Sequence, residues 1–226
     1  MIPLKDENPS RTIPVVNICL ILVNLSVFIY QSFFVPGGAG ALFTRLGFIP
    51  YELTHAVDIG PRNLAPVPMT IITSMFMHAG WIHFLGNMLY LWIFGDNIED
   101  ELGHLKYLFF YLLCGVSASL THGLVNYSSQ IPTVGASGAI AGVIGAYMLL
   151  FPGARVRTLF IVFIFVRVIS VPAIILLGYW ILIQVLSGIT EFGSGTGSGV
   201  AWFAHIGGFV TGLVLITLMG KRGKKR

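Results

Sequence analysis

Six stretches of the chain are apolar over close to the length that a bilayer span needs, about 20 residues, with polar clusters between them. The first runs from Val15 to Phe34 and stops at Pro36-Gly37-Gly38. The second, roughly Ile71 to Phe94, is interrupted by His78, His83 and Asn87. Leu105 to Leu124 is the third, and the short stretch from Ser137 to Phe151 is the fourth. The fifth is placed at Val171 to Ile189, with Arg155 to Ser170 as an interfacial or re-entrant approach to it. The sixth is Val200 to Met219. The pattern predicts an all-α membrane protein, a six-transmembrane-helix bundle over residues 15–220 with a short fourth helix. An N-terminal segment, residues 1–14, and a basic tail, residues 221–226, flank it.

Composition agrees with that solvent. Of the 226 residues 55% are hydrophobic and only 10% charged, and the mean hydropathy is +0.85. Soluble domains carry about a quarter charged residues, so an ordinary soluble domain is excluded, as are a disordered chain, a coiled coil and a collagen-like fibre. Cys19 and Cys114 both lie within apolar runs, which leaves no disulfide framework and no cysteine zinc site. The net charge of +4 does not indicate nucleic acid, because five basic residues sit between Lys221 and Arg226. Such a cluster next to a span faces lipid headgroups. Six spans put both termini on one side, together with eleven of the thirteen Lys and Arg residues; only Arg45 and Arg62 fall on the other. Cytoplasmic loops hold the excess of positive charge, so the termini are expected in the cytoplasm. No small-residue cleavage site follows the first stretch, which is expected to be retained. With no extra amino-terminal span or targeting peptide, the expected home is a prokaryotic plasma membrane.

Ionisable residues inside spans are costly and mark function by default. Three places hold the relevant polar groups: HAGWIHFLGN from His78 to Asn87, GASG from Gly135 to Gly138, and AHIGGFVTG from Ala204 to Gly212. Counted from the cytoplasmic end of each span, Ser137 lies roughly 21 Å up, His205 roughly 24 Å and His83 roughly 20 Å at the rise of a helix. They share one layer. A serine hydroxyl needs a base to become a nucleophile, and histidine is the usual one. A tetrahedral intermediate needs donors at its oxyanion, which Asn87, His83 and the Ser137 backbone N–H are placed to supply. Gly208 and Gly212, one turn and two below His205, make a small-residue face that permits close helix approach. Gly135 and Gly138 flank the serine. Taken singly, GASG is a helix-packing sequence, a lone histidine serves as haem ligand or packing residue, and Asn87 is interhelical glue. The soluble-hydrolase elbow G-x-S-x-G is not matched, because Ala139 occupies its last place.

At these residues the sequence resembles the rhomboid family of intramembrane serine proteases over nearly the whole six-span unit. The family pattern reads here as His78, then His83 and Asn87 in HFLGN, then Gly135-Ala136-Ser137-Gly138, then Ala204-His205 with Gly208 and Gly212. Glu99-Asp100-Glu101-Leu102-Gly103 is similar to the family's cytoplasmic turn after the second span. The resemblance implies a Ser137–His205 dyad without a third acid, and an oxyanion site drawing on His83, Asn87 and the Ser137 backbone. It implies a bundle around a short fourth helix, a water-filled cavity opening outward and a first outer loop lying partly in the membrane. Substrates of such an enzyme are membrane-anchored proteins cut in or near their spans. Two departures stand out. Family members often carry an aromatic residue one turn after the serine, stacked on the catalytic histidine, where this chain has Ala141; the Trp-Arg pair of some members' first loop is absent as well.

The expected activity is therefore that of an intramembrane serine endopeptidase acting on transmembrane protein substrates among membrane lipids, with no metal, cofactor or nucleic acid. The sequence leaves the oligomeric state open. The alternatives are a catalytically inactive rhomboid-like protein that binds transmembrane clients, and a haem- or ion-conducting protein that uses the histidines. The glycine-rich tract Glu191–Gly199 is expected to act as a mobile cap above His205.

Overall fold

In lipid, an apolar run satisfies its backbone polar groups by turning into a helix. The computed structural model describes residues 1–59, 64–162, 164–194 and 199–220. Among them it holds helices α1 (Val15–Phe33), α2 (Gly38–Leu46), α3 (Pro50–His55), α4 (Thr70–Thr73), α5 (Trp81–Leu102), α6 (His104–Val125), α7 (Ser137–Leu150), α8 (Ala173–Ser194) and α9 (Trp202–Met219). Four of these, α1, α6, α8 and α9, are long and apolar enough to cross a membrane. Helix α7 is shorter and apolar, and α5 is long but carries His83, Asn87 and the acids from Asp96 to Glu101. The protein is an integral membrane protein, mostly helical.

Three short strands correct the all-helical expectation. Strands β1 (Ile2–Asp6), β2 (Arg155–Val162) and β3 (Phe165–Pro172) form one antiparallel sheet in the order β1-β2-β3. The segment read as an interfacial or re-entrant approach is therefore a hairpin, with Arg155 opposite Pro172 and Val162 opposite Phe165. Residues 1–14 do not stand apart either. Lys5 pairs with Arg157 in the sheet, and Tyr147 Oη at the end of α7 donates to Asp6 Oδ2 at 2.7 Å.

The second apolar stretch also divides differently. Residues 67–76 coil through two 3₁₀ turns and α4, and the long helix begins only at Trp81. The break has a partner on α1. Gln31 accepts from the backbone N–H of His78 at 3.1 Å and donates to the His78 carbonyl. Both halves of that peptide position are committed to a side chain and are lost to the helical ladder.

Helix α7 sits in the middle of the bundle. Every residue from Gly138 to Tyr147 is buried, with α5, α6, α8 and α9 packed around it. Its glycines let α9 come into backbone contact. A methyl group at Gly208 would overlap the carbonyl oxygen of Gly138, and one at Gly212 would overlap the backbone of Gly142. At the C-terminal end of the fifth stretch, α8 continues to Ser194, so the start of the Glu191–Gly199 tract is helical. Residues 195–198, at its centre, lie outside the described residues, as do Arg62 and the basic tail, residues 221–226. The cap expected there therefore falls at its centre on residues outside the described ones.

Candidate active site

Ser137 is the first residue of α7, where backbone N–H groups have no partner within the helix. The chain reaches it through Gly135, whose φ of +134° suits glycine and whose N–H donates to the Ser74 carbonyl at 2.9 Å. A Cβ at Gly135 would come within 2.7 Å of the His83 ring. The glycine is thus required twice, for its backbone angle and for the imidazole that lies against it.

His205 stands in the first turn of α9. Its Nε2 is 2.8 Å from Ser137 Oγ. The two residues are 68 positions apart, and they meet because the glycine seam brings the starts of α7 and α9 together. The other ring nitrogen, Nδ1, is 2.7 Å from Gln184 Oε1 on α8. Gln184 is buried, and its Nε2 donates to the Trp180 carbonyl one turn earlier at 3.2 Å. The Trp180 and Trp202 rings flank the imidazole with centroids 5.7 and 6.4 Å away. Ala141 is fully buried, so the aromatic wall beside His205 comes from α8 and α9 instead of α7. Sequence reasoning passed over Gln184. Its signal was one side-chain amide in a long apolar run, and such polar groups face the bundle interior.

His83 lies in the first turn of α5, with the Ala79 N–H at 3.4 Å from its Nδ1. Asn87, one turn on, is buried, and its Nδ2 has no hydrogen-bond partner among the described residues. His78 is wholly buried among Phe28, Phe84 and His83. Its ring nitrogens have no partner among the described residues, and its backbone carries the contact with Gln31. A cavity lined by Ser74, Gly115, Ser119, Thr133 and Ala201 also reaches Ser137. Gly138 sits against Ala118 of α6, where an added methyl would overlap the Ala118 side chain.

A helical membrane protein with a serine and a histidine in hydrogen-bond contact between two packed helix starts is the class that this arrangement defines. Residues 65–222 match the family described as Rhomboid domain, and the chain belongs to the rhomboid family. It is similar to Rhomboid-like protein 11, chloroplastic, of Arabidopsis thaliana, with 28% identity over 89% of this chain and 64% of that protein. It is 29% identical to Rhomboid protein 1, mitochondrial, of Saccharomyces cerevisiae over 70% of this chain and 44% of that protein. It is 31% identical to Rhomboid protease GluP of Bacillus subtilis over 66% of this chain and 26% of that protein. The chain thus spans less than two thirds of the length of each of these relatives. The family includes intramembrane serine proteases. Its members here are chloroplastic, mitochondrial and bacterial alike, which leaves the expected prokaryotic membrane without support from them.

Proposed function

We propose that this protein is an intramembrane serine endopeptidase that cleaves membrane-anchored proteins in or near their transmembrane segments. The observation that carries the reading is the 2.8 Å contact between Ser137 Oγ and His205 Nε2. In that geometry His205 takes the serine proton as Oγ attacks the scissile carbonyl, then returns it to the leaving amine. Water repeats the cycle on the acyl-enzyme. The N–H of Ser137, with His83 and Asn87 from α5, serves the oxyanion. The Asn87 Nδ2, with no hydrogen-bond partner among the described residues, and the position of His83 against Gly135 support that role. His78 shapes the entry to α5 through its backbone. The six spans lie in α1, in α5 as far as Phe94 and in α6 to α9, and the end carrying the sheet, with Lys5, Arg155 and Arg157 together, faces the cytoplasm. Substrate and water reach Ser137 from the opposite side.

The test is cleavage of a tagged single-span substrate in liposomes. Ser137→Ala and His205→Ala should each abolish turnover in protein that still melts cooperatively, and the double variant should be no worse than either, since the pair acts as a unit. Substantial residual turnover in either variant would overturn the assignment. Covalent labelling of Ser137 by a fluorophosphonate separates this reading from an inactive client-binding relative.

A further inference from the structure

We propose that Gln184 is a positioning residue for His205: its side-chain carbonyl accepts a hydrogen bond from Nδ1–H and so holds the ring in the tautomer and orientation that leave Nε2 free to take the proton of Ser137. The inference rests on the reading of Ser137 and His205 as a hydrolytic pair, and it supplies what that pair otherwise lacks, a third group that fixes the base.

The tautomer follows from a chain of donors and acceptors. The Gln184 Nε2 group donates to the Trp180 carbonyl at 3.2 Å, one helical turn back on α8. That bond settles the direction of the amide, so the atom facing His205 at 2.7 Å is the carbonyl oxygen, which only accepts. Nδ1 must then carry the hydrogen. A neutral imidazole has a single N–H, so Nε2 presents its lone pair to the Ser137 hydroxyl at 2.8 Å. Among the described residues, Gln184 Oε1 is the acceptor found at Nδ1. Trp180 and Trp202 give it walls but no acceptor, and Ala141 is too small to stack on it. An amide also suits the place. Gln184 is buried between apolar helices, where a carboxylate would bring a charge that is expensive to desolvate. A neutral carbonyl orients the ring without that charge. Its bond strengthens when the imidazole becomes imidazolium in the transition state, because hydrogen bonds to charged groups exceed neutral ones. The effect should therefore fall on kcat more than on KM.

The experiment compares Gln184→Met, similar in length but without the acceptor, with Gln184→Glu, which keeps one. Turnover of the single-span substrate in liposomes, fluorophosphonate labelling and thermal melting are measured on each, alongside wild type and Ser137→Ala. Gln184→Met should lower kcat roughly ten- to a hundred-fold, the range set by one hydrogen bond to a charged group, with KM unchanged. Gln184→Glu, which keeps an acceptor but adds a buried charge, should retain more of the rate than Gln184→Met. Nitrogen-15 NMR of histidine-labelled protein, with the His205 signal assigned by its loss in His205→Ala, should show Nδ1–H alone in wild type and a tautomer mixture in Gln184→Met. If Gln184→Met does not fold, Gln184→Asn, which withdraws the carbonyl by one carbon, should show the same loss. A plain packing role predicts the reverse order, with Met matching wild type and Glu failing. That order, or a wild-type His205 protonated at Nε2, overturns the inference while an active enzyme leaves the protease reading standing. A wild type inert to both substrate and fluorophosphonate overturns both.

Discussion

Asn87 and His83 project from successive turns of α5, and the His83 ring lies against Gly135, with the Ala79 N–H at its Nδ1. The Asn87 Nδ2 group is buried with no hydrogen-bond partner among the described residues, which is costly unless another group occupies it during turnover. Asn87→Ala should therefore reduce kcat by up to about 10²–10³, the usual loss for one oxyanion donor, with His83 and the Ser137 N–H limiting the fall. Steady-state kinetics on the single-span substrate checks this, and a change confined to KM would assign Asn87 to helix packing. At this scale the sequence was informative where chemistry and spacing coincide. Ser137 and His205 could be chosen because a glycine-flanked serine and a histidine above a small-residue face fall at one depth. Gln31 and Gln184 could not. Each is an amide inside an apolar helix, and its partner lies 47 or 21 residues away on another segment. No periodicity connects them.

The seam between α7 and α9 is the element on which the site depends. Gly142 and Gly212 touch through their backbones, and so do Gly138 and Gly208. Gly212→Ala should force the helices apart and cost about 1–3 kcal/mol, as overpacking does, and thermal unfolding in detergent would show it. Gly86→Ala is the control. A methyl there meets nothing within 4 Å, so its melting temperature should hold or rise slightly on helix propensity. Gly208→Ala, one turn from His205, should in addition lower turnover by moving the imidazole off Ser137. The helices themselves were legible because lipid acts on every residue of a span. Their edges were not. The start of α5 moved ten residues along the second stretch, since the Gln31 side chain claims the His78 peptide. The β2–β3 hairpin was missed for another reason: after Arg155, Arg157 and Thr158, the apolar run from Leu159 to Val162 is too short for its period to tell strand from helix, and the sequence Phe163-Ile164 has none of the Asn-Gly or Asp-Gly chemistry that marks a tight hairpin.

Across the whole molecule, the end opposite the candidate site is closed by contacts between distant segments. The Glu99 carboxylate accepts from the N–H groups of Val16 and Asn17 and so caps α1. Asp6 is buried against Tyr147. Asp96 lies on α5 beyond Phe94, outside the apolar span. Burial holds both aspartates above the ordinary carboxylate range: Asp6 is raised, partly offset by the Tyr147 hydroxyl and Lys5, and Asp96 is pushed up to about 6, with the charge of Asp6 adding to burial. The folded state then binds these protons more tightly than the unfolded chain, whose value is near 3.8. The contribution of Asp96 to stability is least above the folded value and grows as pH falls through about 6. Melting of wild type should rise between about pH 7.5 and about pH 5 relative to Asp96→Asn, which should flatten that dependence; equal slopes in the two proteins would contradict it. The sequence by itself determined the solvent, the main apolar helices and the two residues proposed for chemistry, because lipid selects composition residue by residue and because serine and histidine announce their use. Only the tertiary structure decided the sheet, the start of α5, the Asp6–Tyr147 closure and the partner of His205. The sheet is backbone pairing between separate strands, the other three turn on polar side chains choosing among donors and acceptors on other segments, and packing makes those choices.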